Sequence, residues 1–306
     1  MFIELQTVAG KIMINSKSNI PHYGGQALIE GVLMRGKKYV VAAMRQPDNE
    51  IHLVFDELQG IYKSGLSKIP FLRGLIVLWD SLSLGMKYLT ISANTQAGED
   101  EKIEGPALFV TLTISILLSI GIFFVLPTIF VEMISRLLPL NPFTMNIVEG
   151  LIRLGILVLY IWAIGFSKDI SRVFAYHGAE HKTINAFEEG VEINVSNVFS
   201  FPLAHPRCGT SFLLTLVIFS ILLFTLFGPL PLLIKIITRI LLVPILAMVA
   251  YEIIRFMGDH LDNPIVKVLT SPNLLLQKLT TREPSEEMVE VAISSFNKLL
   301  QLENIT

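Results

Sequence analysis

The sequence ALFVTLTISILLSIGIFFVLPTIFV, residues 107–131, decides the fold class. It contains no charged residue, and a helix needs about 20 mostly apolar residues to cross a bilayer core about 30 Å thick. Gly105 and Pro106 precede the run, and Pro127 lies near its far end, where a membrane helix tolerates a kink. The stretch predicts a transmembrane helix and therefore an α-helical membrane protein.

Three further apolar runs, at about residues 147–166, 212–227 and 236–256, predict three more spans. The second run carries Glu149 and Arg153 near its start, where an arginine can reach the interface. We therefore predict four transmembrane helices, arranged as one hairpin over residues 106–166 and another over residues 212–256.

The composition fits this class and excludes others. The chain is 52% hydrophobic and 16% charged, whereas about a quarter of the residues in soluble domains are charged. Its net charge of −2 gives no broad basic surface for nucleic acid, so the expected partner is the lipid bilayer. A single cysteine, Cys208, rules out a disulfide within the chain and fits a reducing compartment.

The positions of lysine and arginine predict the orientation in the cell membrane. Arg136 is the one basic residue between the first two predicted spans, whereas the loop between spans two and three carries Lys168, Arg172, Lys182 and Arg207. Basic residues in short loops favour the cytoplasmic side, so both termini of this multi-pass chain are expected there. The segments predicted to meet on that face are residues 1–105, 167–211 and 257–306.

The N-terminal part predicts a small antiparallel sheet within residues 17–57. Short alternating runs occupy residues 26–36, 38–46 and 51–58, and turn residues separate them at 36–38 and 47–49. We expect a three-stranded β-meander, in which Glu30 and Arg35 can pair across the sheet.

Residues 71–94 have helical periodicity and a polar stripe. Arg73, Asp80 and Lys87 follow one another at seven-residue steps and so share one helical face. This stripe favours an interfacial helix, with a fifth span as the alternative. The tail after residue 257 is expected to be helical, and its last helix is opened by Pro284 and an acidic first turn.

The motif with the clearest chemistry is YHGAEHKTINAFEEG, residues 176–190. On a helix His177 and His181 share a face and can bind one divalent metal, most readily zinc. Glu180 lies beside them and can act as a general base toward water. A catalytic zinc needs a third protein ligand and an open position.

Candidates for the third ligand lie on the same predicted side of the membrane. His205 and Cys208 belong to HPRCGTSF at residues 205–212, Glu252 lies in the fourth predicted span, and Asp259 and His260 follow it. Glu252 attracts notice because a carboxylate inside a span is costly without a partner.

Two alternatives compete with an open catalytic site. His177 and His181 could simply cap or pack the end of a helix. Alternatively, these two histidines together with His205 and Cys208 could form a closed four-ligand zinc site, which is structural.

Glycines near the N-terminus, in HYGGQALIEGVLMRG at residues 22–36, allow the backbone to approach another surface closely. As a phosphate loop the motif is weak, since it lacks the Lys-Ser/Thr pair of a P-loop and the spacing of a dinucleotide fingerprint. A structural turn is the simpler interpretation of Gly24, Gly25, Glu30 and Arg35.

Four blocks in this order resemble the bacterial YqhQ-like family: GGQALIEGVLMRG at 24–36, YHGAEHKTINAFEEG at 176–190, HPRCGTSFLL at 205–214 and TTREPSEEMVEVAI at 280–293. The family is a domain of unknown function, and the resemblance implies a membrane protein and a predicted metal-dependent enzyme. The residues it highlights are Gly24, Gly25, Glu30, Gly31, Arg35, His177, Glu180, His181, Lys182, His205, Arg207 and Cys208.

The sequence thus predicts a metal-dependent hydrolase whose site lies at the cytoplasmic membrane interface. Its expected ligands are His177, His181 and His205, with Glu180 as the catalytic residue and Cys208, Glu252 and His260 as further candidates. A lipidic or membrane-protein substrate and a homo-oligomer fit this placement. The alternative function is a non-enzymatic scaffold or small-solute transporter, in which Glu149, Arg153, Glu252 and Arg255 form polar pairs inside the membrane.

Overall fold

The computed structural model describes residues 23–58, 69–97 and 105–304. Residues 17–22, the start of the predicted β unit, lie outside the described residues. The strands are β1 (Gly24–Leu28), β2 (Gly31–Arg35), β3 (Tyr39–Arg45) and β4 (Ile51–Glu57). The helices are α1 (Leu72–Gln96), α2 (Gly105–Ile120), α3 (Leu126–Leu137), α4 (Pro142–Ile164), α5 (Lys168–Glu188), α6 (Val195–Phe199), α7 (Thr210–Thr225), α8 (Leu232–Leu241), α9 (Val243–Asp259), α10 (Pro264–Thr280) and α11 (Glu286–Leu302).

The N-terminal strands form an antiparallel meander in the order β1-β2-β3-β4. The predicted meander is correct, but its count of three strands is wrong, because the first run divides into β1 and β2. Leu28 pairs with Gly31 across a tight turn in which Glu30 has a φ of 52°. Gly31 has no room for a Cβ, which would clash with the Ala43 carbonyl oxygen. The turn at Glu30 therefore divides a run that resembles one strand, and Gly31 then lets β2 pack closely on β3.

Helices cover both faces of this sheet. One face packs against α5 and α11 through a core that includes Val32, Val41 and Phe296. The other face packs against α1 through a core that includes Val40 and Tyr88. Burial on both sides explains why β2 and β3 are more uniformly apolar than a half-exposed strand.

The remaining helices form an apolar bundle. Within the described residues two helices are long and apolar enough to cross a membrane, Gly105–Leu137 and Pro142–Ile164. The first is continuous through a π-helical turn at Gly121–Val125. Helices α8 and α9 make a third candidate if they count as one span bent by 41°. Helix α7 has 16 residues, which is shorter than a full span, so the structure does not confirm four transmembrane helices.

The surface of the bundle carries large apolar side chains, whereas some of its charged side chains are buried. In α8, Lys235 and Arg239 are buried, whereas Leu233, Ile237 and Leu241 are exposed. Large apolar side chains are likewise exposed along α2, including Phe109, Ile114, Ile116 and Leu117. Such large exposed apolar surface is typical of a protein in contact with lipid, which is consistent with membrane association.

The polar stripe of α1 faces protein. Arg73 pairs with Glu252 of α9, Asp80 with Arg35 of β2 and Lys87 with Asp56 of β4. The exposed side of the helix carries apolar groups, among them Trp79 and Leu82. The three charges therefore dock α1 onto the sheet and α9, and α1 is not among the candidate spans.

The tail after residue 257 is helical in the structure. Helix α10 packs on α4 and α7, and α11 packs on the sheet. Ser285 caps α11 by accepting a hydrogen bond from the Met288 N–H, and Glu286 and Glu287 occupy its first turn. The predicted start of this last helix is confirmed.

Candidate metal centre

Helix α5 carries the histidine motif, and it brings His177 and His181 onto one face with ring centroids 4.3 Å apart. Cys208 joins them from the turn that opens α7, where its sulfur accepts a hydrogen bond from the Thr210 N–H at 3.4 Å. One donor atom from each of the three residues lies within 4.8 Å of the other two. The structure thus assembles a His₂Cys cluster from two sequence blocks.

Backbone carbonyl groups fix the tautomers of both histidines. His177 donates from Nδ1 to the Thr280 oxygen at 2.9 Å, and His181 donates from Nδ1 to the Leu203 oxygen at 2.5 Å. The Nε2 atom of each histidine then keeps its lone pair. The Cys208 thiol donates a hydrogen bond to His177 Nε2 at 3.2 Å. Metal-ligating histidines are usually oriented by such a second hydrogen bond.

His181 Nε2 is the clearest sign of an unfilled bonding position. The atom is buried and has no hydrogen-bond partner among the described residues. A buried polar atom without a partner costs about 1–3 kcal/mol. A metal ion bound to this nitrogen would remove that cost.

Gly178 lets α5 approach the segment that supplies the carbonyl for His177. A Cβ at Gly178 would clash with the Arg282 carbonyl oxygen. In the same contact the Arg282 N–H donates to the Phe174 oxygen at 2.9 Å. The block at 280–293 therefore contacts α5 through backbone groups. One of these groups, the Thr280 carbonyl, orients the proposed ligand His177.

Glu180 lies beside the cluster without joining it. Its Oε2 is 3.9 Å from His177 Nε2, and the side chain is buried. Burial raises the pKa of Glu180 to about 7, although His177 and the Gly25 N–H act in the opposite direction. A carboxyl group with this pKa can both accept and release a proton near neutral pH.

Gly25 forms the wall behind Glu180. A Cβ there would lie 2.6 Å from the Leu33 oxygen and 2.7 Å from the Glu180 Cγ. Gly24, in contrast, has no described heavy atom within 4 Å of its virtual Cβ. Gly25, in contrast to Gly24, therefore allows the edge strand of the sheet to pack directly on the Glu180 side chain.

His205 adjoins the cluster beside His181, and its Nε2, like that of His181, is buried without a hydrogen-bond partner among the described residues. Gln277 holds its backbone, accepting from the His205 N–H at 3.0 Å and donating to its oxygen at 2.8 Å. The His205 ring centroid is 5.5 Å from that of His181, and its Nε2 is 3.6 Å from Glu188. Burial lowers the pKa of His205, while Glu188 opposes that shift.

Arg207 and Lys182 make structural contacts around this site. Arg207 pairs with Glu188. Lys182 donates to the Phe199 oxygen at 2.7 Å and pairs with Glu283 at 2.6 Å. These contacts tie the connection between α5 and α7, at Phe199 and Arg207, to α5, and they tie α5 to the segment before α11.

The remaining candidates lie elsewhere. Glu30 binds Arg172 at the start of α5, with a pKa that this hydrogen bond lowers, and it does not pair with Arg35 as predicted. Glu252 accepts hydrogen bonds from Arg73 and from the Phe71 N–H. His260 is exposed and its ring stacks on Phe256. The structure therefore brings neither Glu252 nor His260 to the cluster.

The donor set suits a divalent transition metal. Two neutral imidazoles and one cysteine, which binds as the thiolate, match the ligands that zinc accepts, at about 2.0–2.1 Å for nitrogen and about 2.3 Å for sulfur. The preset tautomers and the unpartnered His181 Nε2 supply the free lone pairs. The residues present therefore fit a metal, while its identity stays a prediction.

Residue-type reasoning missed the groups that orient these ligands. Thr280 and Leu203 contribute backbone oxygens, which no side-chain pattern reveals, and Gln277 contributes an amide from within an apolar helix. The one sequence signal that pointed to these groups was the family block that begins at Thr280. The sequence does not show that this block lies beside the histidine motif.

Comparison with known proteins gives a family and no function. The chain is 36% identical over 303 residues to a Bacillus subtilis (strain 168) protein named "Uncharacterized protein YqhQ", and the match covers 94% of each chain. No solved structure matches the chain. A family described as "Protein of unknown function (DUF1385)" matches residues 69–302, which include the histidine motif, Cys208 and α10. The chain thus belongs to this DUF1385 family, as the resemblance of its four sequence blocks to YqhQ-like proteins predicted.

Proposed function

We propose that this protein is an integral membrane metal-dependent hydrolase, with His177, His181 and Cys208 as the metal ligands. The observation that carries the proposal is the partly buried His₂Cys cluster with a carboxyl group beside it. A divalent cation there, with zinc as the best fit, would supply a Lewis acid for attack by water.

Glu180 is the proton carrier in this proposal. Its carboxylate takes the proton that the attacking water loses and then passes this proton to the leaving group as the scissile bond breaks. The position fits the role, since Glu180 Oε2 is near His177 Nε2 and stays outside the His₂Cys donor set. Gly25 packs closely against the Glu180 side chain and so restricts its position.

The surroundings favour a substrate that belongs to the membrane. Cys208 precedes α7, a helix whose apolar residues make up the core of the bundle with α4 and α10. Helix α10, whose last residue orients His177, exposes apolar side chains such as Ile265, Val268 and Leu269. Exposed apolar side chains on a helix that contacts the cluster support a lipid or a membrane-protein segment as the substrate.

We propose the membrane orientation that the sequence predicts. The proposal places the sheet, α5 and α11 in the cytoplasm together with both termini, because the basic loop residues lie on that side. Helix α7 and the bent α8–α9 pair complete a second hairpin, in addition to the two helices that are long enough to span.

A complementation experiment tests the hydrolase. Cells that lack the gene receive the wild type, Glu180→Gln or the control Glu189→Gln, which changes an exposed carboxylate at the end of the same helix. Membrane lipids and the new termini of membrane proteins are then compared by mass spectrometry. The proposal expects a cleavage product with the wild type and the control, and none with Glu180→Gln at equal protein and metal content. Full complementation by Glu180→Gln would contradict a hydrolase and leave the scaffold or transporter.

A further inference from the structure

A second polar cluster lies inside the helical bundle, at the end remote from the sheet. Glu149 of α4 is buried and its Oε1 accepts from Arg153 at 2.8 Å, from Arg239 at 3.0 Å and from Thr128 at 3.1 Å. Lys235, one helical turn before Arg239 on α8, lies 3.9 Å from the other Glu149 oxygen. The metal centre lies at the opposite end, since α7 begins beside Cys208 and ends before α8.

Positive charge is in excess in this cluster. Among the described residues it contains three cations, Arg153, Lys235 and Arg239, around one buried carboxylate. Glu132, 3.9 Å from Lys235, adds one negative charge, and its side chain is 34% exposed. One positive charge is therefore left over even when Glu132 is counted, and such a charge is costly in apolar surroundings.

The same cations also have unused hydrogen-bond donors. Arg239 Nη1 is buried and has no partner within the part of the chain that the structure describes. Lys235 Nζ is beyond hydrogen-bonding distance of both Glu132 and Glu149, at 3.9 Å from each. Water could satisfy these donors but would not neutralise the surplus charge, whereas an anion would do both.

We propose that Lys235 and Arg239 form a binding site for a phosphate-type oxyanion. Both side chains extend from one face of α8, and their three-donor ammonium and planar guanidinium groups are the usual partners of phosphate. Lys235 is the fourth residue of α8, which places it about 5 Å from the helix start. The oxyanion can come from a lipid headgroup or from free phosphate.

Thermal unfolding of the full-length protein, purified in neutral detergent and stripped of lipid, tests the site. The probes are inorganic phosphate, phosphatidylglycerol, and a diacylglycerol with the same acyl chains and no phosphate. The variant is Lys235→Gln, and the matched control is Arg136→Gln, an exposed cation at the same end of the bundle. Arg239 is left unchanged because it also binds Asn146 and Glu149.

The site predicts that a phosphate-bearing probe stabilises the wild type and Arg136→Gln, and that Lys235→Gln weakens its binding at least tenfold. Stabilisation by phosphatidylglycerol alone identifies a headgroup site, and stabilisation by inorganic phosphate as well identifies a free oxyanion site. Without any probe, Lys235→Gln should unfold at or above the wild-type temperature, because the surplus charge is gone. No response to phosphate-bearing probes, an equal response in Lys235→Gln, or a less stable Lys235→Gln without probe would overturn the proposal.

Discussion

Gly25 and Glu180 are in such close contact that a Cβ on Gly25 would lie 2.7 Å from the Glu180 Cγ. The two residues belong to different sequence blocks, one on the edge strand of the sheet and the other on α5. Their contact links the sheet to the candidate metal centre. It also makes the position of the proposed proton carrier depend on the absence of a side chain.

Gly25→Ala should therefore impair the site, since the added methyl group meets a backbone oxygen as well as Glu180. We expect a loss of stability of about 1–3 kcal/mol, as for other overpacked cores, together with a loss of activity. Metal content should remain near that of the wild type, because the three atoms nearest to the added methyl group belong to Leu33 and Glu180 and to none of the metal ligands.

Gly24→Ala is the matched control, because open space surrounds the neighbouring position in the described structure. Thermal unfolding, metal analysis and the complementation experiment can be applied to both variants. Equal effects of the two substitutions would show that Glu180 does not depend on this close packing.

The pKa of Glu180 predicts how the stability of the metal-free protein depends on pH. Burial raises this pKa from 4.5 to about 7, so that unfolding releases a proton between these values. Stability is therefore lost as the pH rises from about 4.5 to about 7, by up to about 3 kcal/mol for a shift of this size.

Glu180→Gln removes this titration, so metal-free Glu180→Gln should gain stability relative to the wild type as the pH rises. Thermal unfolding of both proteins in a chelator, at pH 5 and at pH 8, measures the difference. A parallel pH dependence in the two proteins would mean that the Glu180 carboxyl group is not buried in the neutral form.

Cys208 and His205 should differ in their effect on metal affinity. Cys208→Ala removes a donor from the His₂Cys cluster, whereas His205→Gln changes a neighbour whose Nε2 faces Glu188. We expect His205→Gln to stay within the roughly 10–100-fold loss that is typical of residues around a metal site, and Cys208→Ala to lose more. Competition with a zinc chelator ranks the two. A greater loss of affinity in His205→Gln would favour His205 as the third ligand. The ligands would then be those predicted from the sequence alone.

Much of the fold follows from local patterns in the sequence. The turns of the meander, the start of α11 and the apolar helices from Gly105 to Ile164 all rest on short-range signals such as glycine, proline and hydropathy. The fourth strand was not predicted because the turn between β1 and β2 places Glu30 in a left-handed conformation, which the residue type does not indicate. The number of spans stayed uncertain because α7 is short and Pro244 follows the bend between α8 and α9.

The site was predictable in part for a different reason. His177, Glu180 and His181 share a helical face, and this relationship is local and can be read from spacing. The third ligand could not be chosen among Cys208, His205, Glu252 and His260, because sequence spacing does not show which of these side chains lies close to α5. The apolar helix α10 carries Gln277 and Thr280, and their contacts to the site depend on tertiary packing alone.

Reporter fusions test the proposed topology. Fusions at Asn141 and Pro229 should report the outside of the cell, and fusions at Asn194 and the C-terminus should report the cytoplasm, since the basic residues cluster in the 167–211 segment. An external Asn194 would reverse the orientation and place the candidate metal centre outside the cytoplasm.

Metal content tests the central claim most directly. The full-length protein is purified in mild detergent under anaerobic conditions without added metal, and zinc, iron and manganese are measured by mass spectrometry beside His177→Ala, His181→Ala, Cys208→Ala and Glu180→Gln. The account predicts about one divalent metal, most readily zinc, per wild-type chain and per Glu180→Gln chain, and loss of that metal in the three ligand variants. A correctly folded wild-type protein that is free of metal and takes up none of the three ions would contradict it.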